Sequence, residues 1–321
     1  MGNDQAKTDL RNTSYAAAHF ALELSGVDDV GTVRSIEGGG LKADVMTYQP
    51  GANYERWRQL GKPKFEDIKM QVGTAMSEPF FRWIEGFFSG KCERKNGAIV
   101  AGDFYYKERA RREFTDALIT ELTFPKLDST DKSTVYMNVT LAVEDIVFKK
   151  GDPGKQLDPT AKTQESQKGW KSCNFTFTLD GFADCTQVTK VDSFTIKQQV
   201  VEYHAGGRRT AAKTPSLIEY PQLSFYLPEH FTPALTDHFR KRGVKGEVPG
   251  RLHGQITTFD NSAEKATMFT LEFFNADIAN IQPDKSDSTT EEIKQYKIDL
   301  YVERMSFKFG AQYKPEDSAK T

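Results

Sequence analysis

The stretch VTLAVEDIVFKKG, from Val139 to Gly151, has a counterpart 159 residues later in IDLYVERMSFKFG, from Ile298 to Gly310. Six of the thirteen positions are identical, and apolar side chains alternate with polar ones in both segments. Alternation with a period of two is typical of strands that bury one face. The two segments therefore predict that the same strands close each half of the chain.

The similarity between the halves continues toward their N-termini at an offset of 155 residues. At this offset Phe20 falls on Phe175 and Leu22 falls on Phe177. Further positions of the first half that match in type are Leu24, Val33, Ile36, Val45, Tyr48, Gly51, Ile68, Met70, Val72, Phe80, Ile84 and Phe114, the last falling on Phe269. A fixed offset over so many positions indicates an internal duplication.

The duplication predicts two tandem domains, residues 1–151 and residues 169–321. Residues 152–168 between them are rich in Pro, Gly, Lys, Gln and Thr and lack apolar periodicity, which predicts an exposed linker. Strands are predicted in the first half at His19–Gly26, Leu41–Tyr48, Phe65–Val72, Tyr105–Lys107, Asp116–Leu122 and Val135–Lys149. Strands are predicted in the second half at Asn174–Leu179, Phe194–Tyr203, Leu223–Leu227, Leu252–Phe259, Ala266–Phe274 and Ile293–Phe309.

Each half has one helix signal among these strands. Ser77-Glu78-Pro79 is typical of a helix start, and Phe80, Trp83 and Phe87 then recur at helical spacing as one apolar stripe. We predict that this stripe belongs to the core rather than to a contact surface. Thr232-Pro233 begins the corresponding helix of the second half. The fold class predicted is mainly β, with two barrel or sandwich domains that each carry one flanking helix.

Composition narrows the functional classes. The 43 basic and 45 acidic side chains give a net charge of −2, without the basic excess of a typical duplex-DNA reader. No apolar run approaches the roughly 20 residues of a membrane-spanning helix, and the polar start of the chain predicts no signal peptide. We therefore expect no membrane association.

Motifs of the common catalytic sites are absent from the sequence. It contains no GxGxxG, P-loop, HExxH or GxSxG pattern. The three cysteines and five histidines do not occur at metal-ligand spacing. We expect neither enzymatic activity nor a metal or cofactor.

Cations cluster in three segments. A long loop is predicted from Gln49 to Lys64, and such loops tend to be functional or disordered. Cations there and in the matching segment of the second half are Arg56, Arg58, Lys62, Arg208, Arg209 and Lys213. A further basic cluster runs from Lys107 to Arg112. Both an interface and a solvated surface remain open interpretations of these cations.

The segment from Tyr48 to Gly73, YQPGANYERWRQLGKPKFEDIKMQVG, followed by a helix with Trp83, resembles the tail-tube protein family of contractile phages and phage-derived injection systems. The type VI secretion tube protein shares that fold. The resemblance covers Phe20 to Gly151. The second half departs from it, because its loop lacks the Gly-Lys-Pro-Lys-Phe run and His238 replaces Trp83.

The resemblance implies a structural protein that assembles into the inner tail tube or a tube-initiating baseplate hub. It implies a trimer with a pseudo-sixfold ring or a hexamer, sheath and baseplate partners, and a lumen that conducts DNA or a cargo protein. It places the chain in a virion tail or an injection particle assembled in the cytoplasm. The ring-stacking loop would comprise Tyr48, Gly51, Asn53, Arg56, Trp57, Lys62 and Pro63. The resemblance does not carry over to the loop of the second half, where the clustered cations alone predict a second interface at Arg208, Arg209 and Lys213.

Two other functional classes remain open from sequence. A tandem β-sandwich that binds a sugar or peptide would need a cleft lined by exposed aromatic rings. A hydrolase would need a pocket where His, Asp or Glu side chains converge.

Overall fold

The computed structural model describes residues 19–25, 27–49, 51, 56–73, 76–152, 154–157, 169–207, 210–248, 250–261, 265–284 and 293–310. The strands of the first half are β1 (His19–Leu24), β2 (Val27–Val33), β3 (Ser35–Gly38), β4 (Leu41–Tyr48), β5 (Trp57–Phe65), β6 (Ile68–Val72), β7 (Lys95–Gly102), β8 (Glu108–Phe124), β9 (Leu127–Asp128), β10 (Met137–Ala142) and β11 (Asp145–Lys150). Helix α1 (Glu78–Phe88) lies between β6 and β7.

The strands of the second half are β12 (Phe175–Leu179), β13 (Lys190–Val191), β14 (Phe194–Tyr203), β15 (Ala212–Glu219), β16 (Leu223–Pro228), β17 (Leu252–Phe259), β18 (Thr267–Pro283), β19 (Gln295–Tyr301) and β20 (Arg304–Phe309). Helix α2 (Pro233–Phe239) lies between β16 and β17 and continues into a π-helical turn. The predicted mainly-β class with one flanking α-helix in each half is confirmed within these residues.

The order of elements in the first half recurs in the second. Elements β3 to α1 correspond to β13 to α2, and elements β7, β8, β10 and β11 correspond to β17 to β20. One difference is that a 3₁₀ helix, Ala183–Gln187, occupies the place of β2. The offset is 155 residues before the helices and 159 residues from β8 onward, because β8 starts at residue 108 and β18 at residue 267.

A glycine–phenylalanine contact fixes the register of the middle strands. Gly97 pairs with Phe114 across β7 and β8, and Gly254 pairs with Phe273 across β17 and β18. A Cβ atom on either glycine would lie 2.7 Å or less from the partner ring, so glycine makes room for the phenylalanine. Phe114 therefore corresponds to Phe273, and its predicted match with Phe269 is wrong because the offset has already changed.

The two halves share their sheets. Strand β14 joins the ten-stranded sheet through β8, and β9 joins the eight-stranded sheet through β13. All pairings are antiparallel, and one hydrophobic cluster runs through both halves. The core includes Phe80, Trp83 and Phe87, which confirms their prediction as core. Shared sheets and a shared core predict that the halves fold as one unit.

Part of the predicted linker packs against the first half. Leu157 is buried beside Ala21, Ala98 and Val100, and its amide donates to the Tyr106 carbonyl. The prediction of exposure is therefore wrong for Leu157, whose apolar side chain fills a pocket over β1 and β7. Residues 158–168 lie outside the described part of the chain.

Two local predictions fail. The segment predicted as a strand at Tyr105–Lys107 begins in a turn, where Tyr105 and the preceding Phe104 are exposed. The second part of the long loop predicted from Gln49 to Lys64 belongs to strand β5, which pairs with β4 as a separate two-stranded sheet. Both faces of β5 are largely exposed, so its sequence lacks the apolar alternation that marks a half-buried strand.

Candidate assembly surfaces

A junction between the two halves is built first by strand pairing. Residues Phe194–Lys197 of β14 pair with Phe124–Glu121 of β8, and the rings of Phe124 and Phe194 stack with centroids 5.1 Å apart. Thr123 and Thr195 share a hydroxyl hydrogen bond of 2.8 Å. Ile196, opposite Leu122, is fully buried. The junction therefore continues one sheet and one apolar face across the halves.

Helix α1 adds an aromatic contact to the junction. Phe81 stacks on Phe309 of β20 with ring centroids 4.4 Å apart, and Phe88 lies parallel to Phe307 at 6.0 Å. The Phe309 amide donates to the Glu85 carboxylate at 2.8 Å. The apolar stripe predicted from sequence faces the core of the first half and does not include Phe81 and Phe88. These two residues lie on the other side of α1, and their contacts were not predicted because β20 belongs to the second half.

A polar cluster, in which Glu144 and Lys213 are the shielded members, completes the junction. Arg94 Nη1 donates to Glu144 Oε1 at 2.7 Å, and Arg94 Nη2 donates to the carbonyl of Lys213 at 2.6 Å. Glu144 Oε1 also accepts the Lys213 backbone amide at 2.8 Å. Lys213 Nζ lies 3.2 Å from Asp67. An Arg–Glu pair of the first half thus holds the backbone of β15 on both its donor and its acceptor.

The short pairing of β9 with β13 carries an acidic group with a low pKa. Burial of Asp128 acts to raise its pKa, but hydrogen bonds from Lys126 and Thr130 outweigh it and lower the pKa to about 2. Asp128 lies opposite Lys190 in this pairing. The junction therefore contains a carboxylate held ionised by its neighbours.

The hairpin of β4 and β5 presents apolar side chains to solvent. Its exposed large hydrophobic residues are Leu41, Val45, Met46, Tyr48, Trp57 and Leu60. Tyr48 and Trp57 pair across the strands with ring centroids 6.2 Å apart. Several large apolar side chains exposed on one hairpin are typical of an interaction site.

Most residues of the predicted ring-stacking loop lie on or beside this hairpin. Tyr48 ends β4, Trp57 begins β5, and Arg56 precedes it. Gly51, in the turn region, has φ +70° and nothing within 4 Å of a Cβ position. Lys62 and Pro63 lie in β5, toward the base of the hairpin. Asn53 lies outside the described residues.

The predicted second interface is only partly described. Arg208 and Arg209 lie outside the described residues. Lys213 is buried within the polar cluster at Arg94 and Glu144. The sequence interpretation placed Lys213 in a loop, but it belongs to β15 and contacts the first half of its own chain.

The basic cluster of Lys107 to Arg112 is largely neutralised within the chain. Arg109 binds Asp103 at 2.7 Å, and Arg111 binds both Glu23 at 2.6 Å and Glu108 at 2.9 Å. The sequence left open whether these cations form an interface or a solvated surface. Arg111 does neither. Its guanidinium instead crosslinks β1 and β8.

Positions that are buried at this junction have exposed counterparts elsewhere on the chain. Leu41 corresponds to Ile196 but is 60% exposed, and Phe148 of β11 corresponds to Phe307 but is 59% exposed. The C-terminal part of β18, residues 277–283, pairs with β19 on one edge. None of the described strands pairs with the other edge of this part of β18. The corresponding edge of β8 pairs with β14.

A groove with a volume of about 970 Å³ lies between α1 and β20. Its rim is charged, with Arg82, Glu85, Lys91, Arg304 and Lys308 among the lining residues. Three of its aromatic side chains, Trp83, Phe88 and Phe307, are buried, and the fourth, Phe274, is half-buried. None of these four rings is exposed as a sugar-binding cleft would require.

No three His, Cys, Asp or Glu side chains of the described residues converge as metal ligands. None of the helices within those ranges has the length and apolar character to span a membrane.

Residues 16–147 match the family of the T4-like virus tail tube protein gp19. No curated protein matches the chain. Solved structures that align with it include a chain of the sheath–tube complex of the extracellular contractile injection system PVC (18% identity, 44% of this chain and 97% of that chain, TM-score 0.39). Another is Hcp1 from Flavobacterium johnsoniae (11% identity, 43% and 96%, TM-score 0.27). The family match covers less than half of the chain, and these TM-scores lie below 0.5.

Proposed function

We infer that this chain, whose residues 16–147 belong to the T4-like virus tail tube protein gp19 family, is a structural component of a tube in a contractile tail or injection system. Its function is self-assembly around a lumen that conducts DNA or a cargo protein. We propose that the two halves, residues 1–151 and 169–321, are diverged copies of one tube domain. The repeated order of strands and helices supports this division.

One observation carries the assembly proposal. Ile196 is fully buried where β14 meets β8, whereas its counterpart Leu41 is 60% exposed on β4. Burying a leucine side chain contributes about 1.5–3 kcal/mol, and an unpaired strand edge promotes uncontrolled association. We propose that β4 of one chain pairs with the free edge of β18 in the next chain, as β14 pairs with β8 within the chain.

This pairing predicts a specific register between chains. Ile196 lies opposite Leu122, and Lys197 lies opposite Glu121. Subtracting 155 from the β14 residues and adding 159 to the β8 residues gives Leu41 opposite Ile281. Strand β4 starts two positions later than β14, because Gly39 and Gly40 precede it and Gly39 has a positive φ. The proposed pairing therefore begins at Leu41.

Three chains would then supply six domains to one ring, with within-chain and between-chain junctions in alternation. A closed ring of this kind has trimeric symmetry and pseudo-sixfold shape. The exposed hairpin with Tyr48 and Trp57 would project from the ring and contact the next ring or a baseplate partner. Its exposed apolar side chains support this role.

Disulfide trapping tests the ring. The double variant Leu41→Cys/Ile281→Cys places one thiol on each proposed edge, at directly opposed positions where Cβ atoms of antiparallel strands lie about 4.5–5.5 Å apart. Under mild oxidation we expect a covalent trimer on a non-reducing gel. Negative-stain microscopy of the same sample should show rings.

Single variants provide the controls for this experiment. Leu41→Cys alone and Ile281→Cys alone should stay monomeric on the gel, and an equal mixture of them should give a covalent dimer. A covalent hexamer would instead support six chains in a ring. Cross-linking only within single chains, at protein concentrations that produce particles, would refute the proposed edge pairing.

A further inference from the structure

The polar cluster of the within-chain junction has a counterpart in the second half. Arg94 directly precedes β7 and Glu144 lies between β10 and β11, while Arg251 directly precedes β17 and Glu303 lies between β19 and β20. Arg251 and Glu303 also form an ion pair, at 3.3 Å. The second half therefore repeats the Arg–Glu pair that holds β15.

The two pairs differ in what covers them. The side chain of Glu144 is 7% exposed, because the β15 backbone at Lys213 lies on it. The side chain of Glu303 is 49% exposed. Charged side chains gain little from pairing at an exposed surface, whereas hydrogen bonds to backbone groups in a shielded site are considerably stronger.

The residue that would cover Arg251 and Glu303 follows from the same correspondence. Lys213 is the second residue of β15, and its counterpart, the second residue of β5, is Arg58. Arg58 is exposed on the projecting hairpin. Lys213 is held through its backbone amide and carbonyl, so Arg58 would be held through the same two groups.

We propose that Arg251 and Glu303 form the docking site for strand β5 of a second copy of this chain, where Glu303 accepts the Arg58 amide and Arg251 donates to the Arg58 carbonyl. This inference rests on the ring proposed above, and it adds the polar contact that fixes the position of the incoming hairpin. The Arg58 side chain would face Gln222, the counterpart of Asp67, so it lacks the ion pair that Lys213 makes with Asp67.

The experiment uses the Leu41→Cys/Ile281→Cys chain as parent. Adding Glu303→Ala or Arg251→Ala should raise the protein concentration needed for half-maximal trimer cross-linking at least ten-fold. Glu229→Ala is the matched control, because it breaks the similarly exposed ion pair with Lys294, and it should leave cross-linking unchanged. Sedimentation velocity under reducing conditions checks that each variant remains a folded monomer at low concentration.

Arg58 provides the test of backbone recognition. Arg58→Ala keeps the amide and the carbonyl, so it should cross-link within about two-fold of the parent. If Arg58→Ala is as damaging as Glu303→Ala, the assigned backbone contact is wrong. If the parent cross-links but Glu303→Ala and Arg251→Ala match it, the docking site is refuted while the ring stands. If the parent itself fails to cross-link between chains, both proposals fall.

Discussion

Three residues around α2 replace buried apolar residues of the first half with an ionic group. Asp277 is 1% exposed and contacts both Arg242 and His238, the latter at 3.4 Å. Their counterparts at offsets of 155 and 159 are the buried residues Phe87, Trp83 and Leu118. Removing one member of a buried ion pair typically costs about 3–5 kcal/mol, whereas replacing the whole group by apolar residues is often neutral.

We therefore expect Asp277→Leu to lower the free energy of unfolding by about 3 kcal/mol. The triple variant His238→Trp/Arg242→Phe/Asp277→Leu, which copies the first half, should regain most of that loss. Urea denaturation monitored by far-ultraviolet circular dichroism measures the free energy of unfolding of both variants. This signal reports the backbone, so the tryptophan added in the triple variant does not distort the comparison. A triple variant no more stable than Asp277→Leu alone would contradict the correspondence between the two packing sites.

Asp128 predicts how the junction responds to acid. Because its pKa in the folded chain is lowered to about 2, its contribution to stability is present above the unfolded pKa of about 3.8 and is lost as the pH falls toward 2. Asp128→Asn should therefore be less stable than the parent at pH 6, and the difference should shrink between pH 4 and pH 2. Urea midpoints across this range measure it, with exposed Asp184→Asn as control for loss of a surface charge. A constant difference would refute the assignment.

At the scale of elements, the outer face of α2 lacks the aromatic residues of α1. Gly243 and Thr236 occupy the positions of Phe88 and Phe81, although Phe148, the counterpart of Phe307, is 59% exposed. The junction between chains in the proposed ring is therefore weaker in aromatic contacts than the junction within the chain.

Gly243→Phe should strengthen the junction between chains. A Cβ at Gly243 would lie 3.8 Å from the Phe239 ring, which is ordinary contact, so the position accepts a side chain. An aromatic pair with Phe148 contributes about 0.5–1.5 kcal/mol beyond its buried area. We expect roughly a ten-fold lower concentration for ring formation by sedimentation velocity, with Gly243→Ser unchanged. Equal behaviour of both variants would argue against contact between α2 and β11.

Elements were predictable from sequence where one face is buried and the other exposed. Strands β6 and β14, and the inward stripe of α1, follow directly from apolar periodicity. Strand β5 was not predictable, because Trp57 to Phe65 is exposed on both faces and contains Gly61 and Pro63. Its pairing with β4 depends on hairpin geometry rather than on burial, and Pro is tolerated at such an edge.

The residues of the candidate assembly surfaces were harder to predict from sequence than the fold. Tyr48 and Trp57 were predicted through the family resemblance of the segment that contains them. The cluster of Arg94, Glu144 and Lys213 was not predicted, because these residues are far apart in sequence and meet only through the pairing of the two halves. The identity of Glu144 with Glu303 in the closing strands was the available signal, and only the structure shows that one is covered while the other is exposed.

At the scale of the whole molecule, the shared sheets predict that the covalent link between the halves is dispensable once the chain has folded. The halves are joined by β8 with β14, β9 with β13 and α1 with β20, with one hydrophobic cluster running through all three contacts. A protease site inserted between residues 160 and 166 should therefore be cut without separating the halves. The cut chain should elute from size exclusion as the 36.2 kDa protein and run as two fragments on a denaturing gel.

Destabilising the junction tests whether these contacts or the linker hold the halves together. In the cleavable chain, Phe81→Ala/Phe88→Ala removes two aromatic contacts with β20, each substitution costing about 3–5 kcal/mol at a fully packed site and less where the ring is partly exposed. The cut variant should dissociate or unfold at a lower urea concentration than the uncut variant, whereas the cut and uncut parents should differ little. If the cut parent already separates in native buffer, the halves behave as independent domains on a tether. The contacts between the two halves would then be too weak to support the inference that the same contacts join neighbouring chains.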